Sequence, residues 1–214
     1  MGDRAGSTPV GGTKIRLQIK RIFLMEELSM SLNNANIEIN DFCLNSGSGH
    51  VMISAPHNVK QLRQGKLKKA EPQTGTLAIM LHKELGCPII YKTNFCNDDA
   101  NFDSRSPYKT ALYEYINTSN VKFLVDLHQL SPTRKTQINL GTGYFKNTNL
   151  KFTNIFLNAF SEQLLGIIQI DSPFAAAQPN TISSYIHRKC GIDSLQIEIN
   201  SNCYSESCPT VILI

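Results

Sequence analysis

The stretch Val121-Lys-Phe-Leu-Val-Asp-Leu-His128 decides the fold. Five of its first seven residues are apolar, and the valines at 121 and 125 favour extended backbone. That is the composition of a strand buried on both faces of a mostly parallel sheet. The run closes on Asp126-Leu-His128, a carboxylate and an imidazole two positions apart, so on the same side of a strand. Polar groups at the carboxyl end of a parallel strand lie where open α/β sheets build their sites. Two further runs share the pattern. Gly49-His-Val-Met-Ile-Ser-Ala-Pro-His57 also ends in a histidine, with Asn58 behind it, and Ser194-Leu-Gln-Ile-Glu-Ile-Asn200 carries Glu198 inside an apolar strand. Two histidines and a glutamate on three separate strands are the raw material of a metal-dependent hydrolase.

Outward from these runs, strands alternate with helices. Residues 14–31 read as a strand and a short helix, and 33–48 as a loop with one short strand at 37–39. Residues 58–69 are polar and basic, and read as a mobile surface loop. A helix follows, with Thr74 as candidate N-cap and Gly86 as its stop. A short strand at 88–91, a loop at 94–107 and a helix at 108–116 lead into the central run. Beyond it come a loop at 129–135, strands at 137–140 and 167–170, and the longest amphipathic helix, 152–166. A helix at 181–190, stopped by Gly191, precedes the strand at 194–199. The alternation predicts a three-layer α/β/α domain around a mostly parallel mixed sheet.

The chain has 214 residues, 41% of them apolar and 18% charged, with no tryptophan, which suits one soluble domain with a sizeable core. Residues 1–13, Gly-rich and polar, are expected to be disordered, and 14–214 to form a single domain. The net charge of +4 is mild, with the local excess in Arg63, Lys66, Lys68 and Lys69. It implies no nucleic-acid partner. The six cysteines include no C-x-x-C pair, so reduced thiols are expected. No apolar run approaches the roughly 20 residues of a membrane span, and no apolar h-region opens the chain. A cytoplasmic location without membrane association is therefore expected. The oligomeric state is not legible.

A single strand-end histidine is more often a hydrogen-bonded structural residue than a ligand. Two at such positions favour metal, since neutral imidazole is a common zinc ligand. Asp126 is suited to accept a proton from a ligand histidine and fix its tautomer. Glu198, flanked by Leu195, Ile197 and Ile199, is costly to bury ionised without a cation nearby. Its bland alternative is an outward-facing residue on an alternating strand. His50, His82 and His187 read as structural.

The pieces Ser54-Ala-Pro-His-Asn58, Lys69-Ala-Glu-Pro-Gln-Thr-Gly75, Asp99-Ala-Asn-Phe-Asp103, Val125-Asp-Leu-His128, Leu140-Gly-Thr-Gly143 and Leu195-Gln-Ile-Glu-Ile-Asn200 occur in one order. Together they resemble the N-formylglutamate amidohydrolase family, which looks related to zinc carboxypeptidases and aspartoacylases. The resemblance implies a zinc ion held by His57, Glu71 and His128, with Glu198 as general base. It implies hydrolysis of the amide bond of a small N-acyl amino acid such as N-formylglutamate. One departure stands out: the carboxypeptidase-like pattern has its glutamate three residues after the first histidine, where this chain has Lys60. Arg134 and Arg105 are candidates to stabilise an oxyanion or bind a substrate carboxylate. Asn58 and Asn101 are candidates to orient substrate, Asn101 alternatively as a cap for the helix near Tyr108. Two other readings stay open. One is a zinc amidase or carboxypeptidase acting on peptides or peptidoglycan fragments. The other is a non-catalytic α/β binding module whose basic 63–69 segment meets an acidic partner.

Overall fold

The three apolar runs form β2 (Val51–Ala55), β6 (Phe123–Leu130) and β9 (Asp193–Asn200), adjacent and parallel at the centre of a sheet. The computed structural model describes residues 41–163 and 167–204. The expectations for residues 1–40, including the disordered segment and the strand at 37–39, lie outside the described residues. So does the limit at residue 14.

The sheet has seven strands in the order β1-β5-β2-β6-β9-β7-β8, where β1 is Phe42–Asn45, β5 Ile89–Lys92, β7 Thr136–Gly141 and β8 Ile167–Ile170. Four central strands run parallel. β1 is antiparallel to β5 at one edge, and at the other β7 is antiparallel to β9 and parallel to β8. Helices cover both faces. On one, α1 (Pro72–Leu85) and α3 (Leu150–Gln163) pack Leu77, Leu81 and Phe160 against Ile53, Val125, Leu127, Leu195 and Ile197. On the other, α2 (Pro107–Thr118) and α4 (Ile182–Cys190) pack Leu112, Ile116 and Ile186 against Met52, Ile90 and Leu124. Apolar side chains on both faces are what a parallel sheet between two helix layers requires. The architecture is the three-layer α/β/α arrangement with a mostly parallel mixed sheet.

Several boundaries differ from the sequence reading. Residues 58–69 are not simply a loop: β3 (Gln61–Arg63) and β4 (Lys66–Lys68) form a separate two-stranded hairpin. Gln64 and Gly65 both take positive φ, 51° and 72°, the backbone of a two-residue type I′ turn. Strands of three residues are too short to show a period. β1, four residues at an edge, was hidden in an Asn/Ser/Gly-rich stretch for the same reason. α1 begins at Pro72, not at a Thr74 cap, and the Thr74 hydroxyl donates to the Glu71 carbonyl at 2.7 Å. Proline in the first turn costs no hydrogen bond, because those N–H groups have no intrahelical acceptor. Gly86 and Gly191 end their helices with φ of 67° and 69°, as glycine at that position allows. β6 continues to Leu130, so His128 lies within the strand and not at its tip.

Candidate metal centre

Pairing across the sheet sets polar side chains in two neighbouring rows on the face that α2 and α4 cover. Asn139 of β7, Glu198 of β9 and His128 of β6 pair in one row; Gly141, Gln196, Asp126 and Ser54 of β2 pair in the next. The alternation that places Leu195, Ile197 and Ile199 in one core sends Gln196 and Glu198 to the opposite face. β2 ends just before Pro56, which brings His57 up beside this patch. Its carbonyl accepts from the Glu71 N–H at 2.8 Å, so the start of α1 is tied to the same point.

Three donors converge. His57 Nδ1 lies 3.1 Å from Glu71 Oε1 and 3.2 Å from His128 Nδ1, and His128 Nδ1 lies 3.6 Å from Glu71 Oε2. Ligand atoms about 2.1 Å from a tetrahedral zinc ion stand about 3.4 Å from one another, so the spacing fits such an ion. The outer nitrogens fix the tautomers. His57 Nε2 donates to Asp99 Oδ1 at 2.9 Å, and His128 Nε2 to Asp126 Oδ2 at 3.0 Å. That turns both Nδ1 lone pairs toward one point, an arrangement that repels itself unless a cation or a proton lies between them. The other grouping of this kind among the described residues, Asp41, Cys96 and Asp98, already holds a cation. There the buried Lys92 ammonium donates to all three at 2.6, 2.6 and 2.7 Å.

The supporting carboxylates are themselves saturated. Asp126 also accepts from the Ser54 hydroxyl at 2.8 Å. Asp99 accepts from the Asn101 N–H at 3.0 Å and from Arg63 Nε at 2.5 Å. Glu71 Oε2 accepts from the Gln129 N–H at 3.0 Å. Burial opposes charge on His57, His128, Glu71 and Asp99, and attraction from their oppositely charged neighbours overcomes it. For both histidines desolvation lowers the pKa, but the pull of Glu71 and Asp99 on His57, and of Asp126 and Glu71 on His128, raises it on balance. Glu71 and Asp99 are held below the usual carboxylate range by the same contacts. Glu198 behaves oppositely. Burial, reinforced by Glu71 and Asp126 against the pull of His128 and His57, pushes it up to about 7. Its Oε1 accepts from Gln196 Nε2 at 2.9 Å.

The cluster opens into a cavity of about 640 Å³. Among the described residues its walls carry three cations, Arg63 and Lys68 from the β3–β4 hairpin and Arg134 from the β6–β7 connection, and two carboxylates, Glu71 and Glu198. Two of the cations rest on aromatic rings. The Arg63 guanidinium lies 5.0 Å from the Phe102 centroid and that of Arg134 5.1 Å from Phe174.

The structure thus brings His57, Glu71, His128, Asp126, Glu198 and Arg134 together. Asn101 also lines the cavity, but its side-chain oxygen accepts from the Ile182 N–H at 2.8 Å, capping α4 rather than the helix at Tyr108. Asn58 and Arg105 are not cavity residues. Arg105 is exposed. The Asn58 amide donates to the Lys92 carbonyl at 3.0 Å and packs so closely on α1 that a Cβ at Gly75 would lie 2.2 Å from its oxygen. His50, His82 and His187 each bond a backbone carbonyl. Asp99, Arg63, Lys68 and Gln196 were not assigned roles from sequence. The signal that could have found Asp99 is the need of His57 for an acceptor like Asp126, but it does not separate Asp99 from Asp98 and Asp103 in the same loop.

The chain shares its fold with proteins of known structure. No family model and no curated protein sequence matches it. Among solved structures, a bacteriophage poly-gamma-glutamate hydrolase aligns with TM-score 0.53 at 16% identity, over 81% of this chain and 77% of its own. A gene product of Agrobacterium tumefaciens aligns with TM-score 0.54 at 12% identity, over 79% and 88%. An N-formylglutamate amidohydrolase from Ralstonia eutropha aligns with TM-score 0.48 at 13% identity, over 77% and 87%. At these identities the likeness is one of fold.

Among the described residues no helix is long and apolar enough to cross a membrane. Among the described residues Cys87, Cys96 and Cys190 are free thiols.

Proposed function

We propose that the protein is a zinc-dependent amidohydrolase cleaving the amide bond of an N-acyl amino acid with an acidic side chain, such as N-formylglutamate. The observation that carries this reading is the pair of histidines whose Nδ1 atoms face each other at 3.2 Å while both outer nitrogens are engaged by carboxylates. His57, Glu71 and His128 would hold the ion. When bound it supplies Lewis acidity, which activates water and polarises a carbonyl. The named activity of the bacteriophage protein, hydrolysis of poly-gamma-glutamate, supports this choice of chemistry.

The chain's own groups do the rest. Glu198, buried beside the cluster, takes a proton from the attacking water and passes it to the leaving nitrogen. The Gln196 amide holds the acceptor oxygen in place. Arg63, Lys68 and Arg134 make the cavity attractive to carboxylates, and arginine's planar fork suits them best.

The reading is tested on purified protein reconstituted with zinc and then dialysed. One zinc per chain and release of free glutamate from N-formyl- or N-acetyl-L-glutamate are expected, with the activity lost on chelation and restored by zinc. Protein that retains no zinc after reconstitution is a binding module instead. Within the same assay, Asp126→Asn and Asp99→Asn should each weaken zinc binding about 10–100-fold without abolishing it, because each orients a ligand without being one. Unchanged affinity in either variant returns that aspartate to a purely structural role.

A further inference from the structure

We propose that the turn after β7 is a built subsite, in which strained backbone presents Tyr144 to a substrate extending beyond a single residue, an acidic peptide-like chain. The inference rests on the reading above and names its substrate class.

Tyr144 and Phe145 are consecutive non-glycine residues in the left-handed region, with φ of 57° and 59°. The Cβ of an L-residue crowds its own backbone there, so such conformations persist only where the surroundings impose them, and they gather at binding sites. Here the surroundings do impose them. Asp171 accepts from the Thr142 N–H and hydroxyl, each at 2.6 Å. The same hydroxyl accepts from the Phe145 N–H at 2.9 Å. Gly143 N–H donates to the Ala175 carbonyl at 2.6 Å, and the Asn147 amide to Ala176 at 2.9 Å. Both ends of the turn are buried, Thr142 fully and Asn147 nearly so, yet its tip is not: Tyr144 is 64% exposed. A rigid base with a large exposed ring is poor design for stability alone.

Tyr144 lines the same cavity as His57, Glu71 and His128. That cavity, about 640 Å³, is in the range that encloses ligands much larger than one N-formyl amino acid. Its three cations come from two different connections, which suits several carboxylates spaced along a chain better than one. Exposed Phe174 and Phe102 continue the aromatic wall, each under an arginine. Aromatic rings offer flat contact to the aliphatic stems of such a chain, while the arginines meet its carboxylates.

The test uses zinc-loaded Glu198→Gln protein, in which ligands bind without being consumed. Calorimetry compares N-acetyl-L-glutamate with N-acetyl tri-L-glutamate in α- and γ-linked forms. The trimer in one linkage is expected to bind more tightly than the monomer. Tyr144→Ala and Tyr144→Gly should each reduce affinity for that trimer about three- to tenfold more than for the monomer. Glycine relieves the strain and alanine does not, so only Tyr144→Gly should raise Tm, by about 2–4 °C over Tyr144→Ala. Phe145→Gly should raise Tm similarly and leave the trimer-to-monomer ratio alone. Equal losses for both ligands overturn the subsite, as does a trimer that binds no better than the monomer; the amidohydrolase reading survives either result. Zinc-loaded protein that binds neither ligand overturns both.

Discussion

Glu198→Gln is expected to cut turnover of N-formyl- or N-acetylglutamate by about 10²–10⁴-fold, the usual worth of a positioned acid–base group. The substitution keeps the size of the side chain and removes its proton acceptor. Zinc content should stay near one per chain, because none of the close donor contacts involves Glu198. Stability gives a second, substrate-free readout. The Glu198 carboxyl rises from 4.5 to about 7 in the folded, metal-free protein, so between those values the folded state binds the extra proton. Its contribution to stability is fully present below about pH 4.5 and is lost as pH rises through about 7. Glutamine does not titrate. In metal-free protein the Tm of Glu198→Gln should therefore exceed wild type by little at pH 5 and by clearly more at pH 8. The difference corresponds to on the order of 3 kcal/mol. A variant that loses zinc makes Glu198 a ligand; one that stays fully active places the base elsewhere.

His57→Ala and His128→Ala should each abolish stoichiometric zinc binding after reconstitution. Either change removes one of three donors, and two do not make a stable site for this ion. Both residues are buried, 4% and 2% exposed, and each satisfies a buried aspartate. A stability loss of about 1–3 kcal/mol should accompany each, from leaving Asp99 or Asp126 short of a partner. His57→Gln and His128→Gln retain a donor for those aspartates and separate the two effects. They should recover stability but not zinc. Full zinc content by atomic absorption in either alanine variant would show that the proposed centre is wrong.

The central strands were legible because parallel strands between helix layers are apolar on both faces, which leaves a run such as Phe123–Val125 no alternative. Glu198 was conspicuous for the same reason: a carboxylate among Leu195, Ile197 and Ile199 needs an explanation. Glu71 lies outside any strand and fourteen residues after His57, and only the resemblance pointed to it. Asp99 and the hairpin cations were illegible because their positions are decided by chain crossings, Arg63 meeting Asp99 over 36 residues of separation. A short basic hairpin carries no periodic signal. The strained turn at Tyr144 left no trace either, since tyrosine and phenylalanine give no hint of left-handed backbone.

Glu71 is fixed by contacts that need no ion. Its N–H donates to the His57 carbonyl, its carbonyl accepts from Thr74, and one carboxylate oxygen accepts from the β6 backbone. The entropy of arranging this proposed ligand is lost when the chain folds, not when an ion would bind. Withdrawal of the ion should then leave a template of nearly unchanged shape, ready to be refilled. Exchange of one divalent ion for another becomes a matter of diffusion and ligand chemistry rather than of refolding.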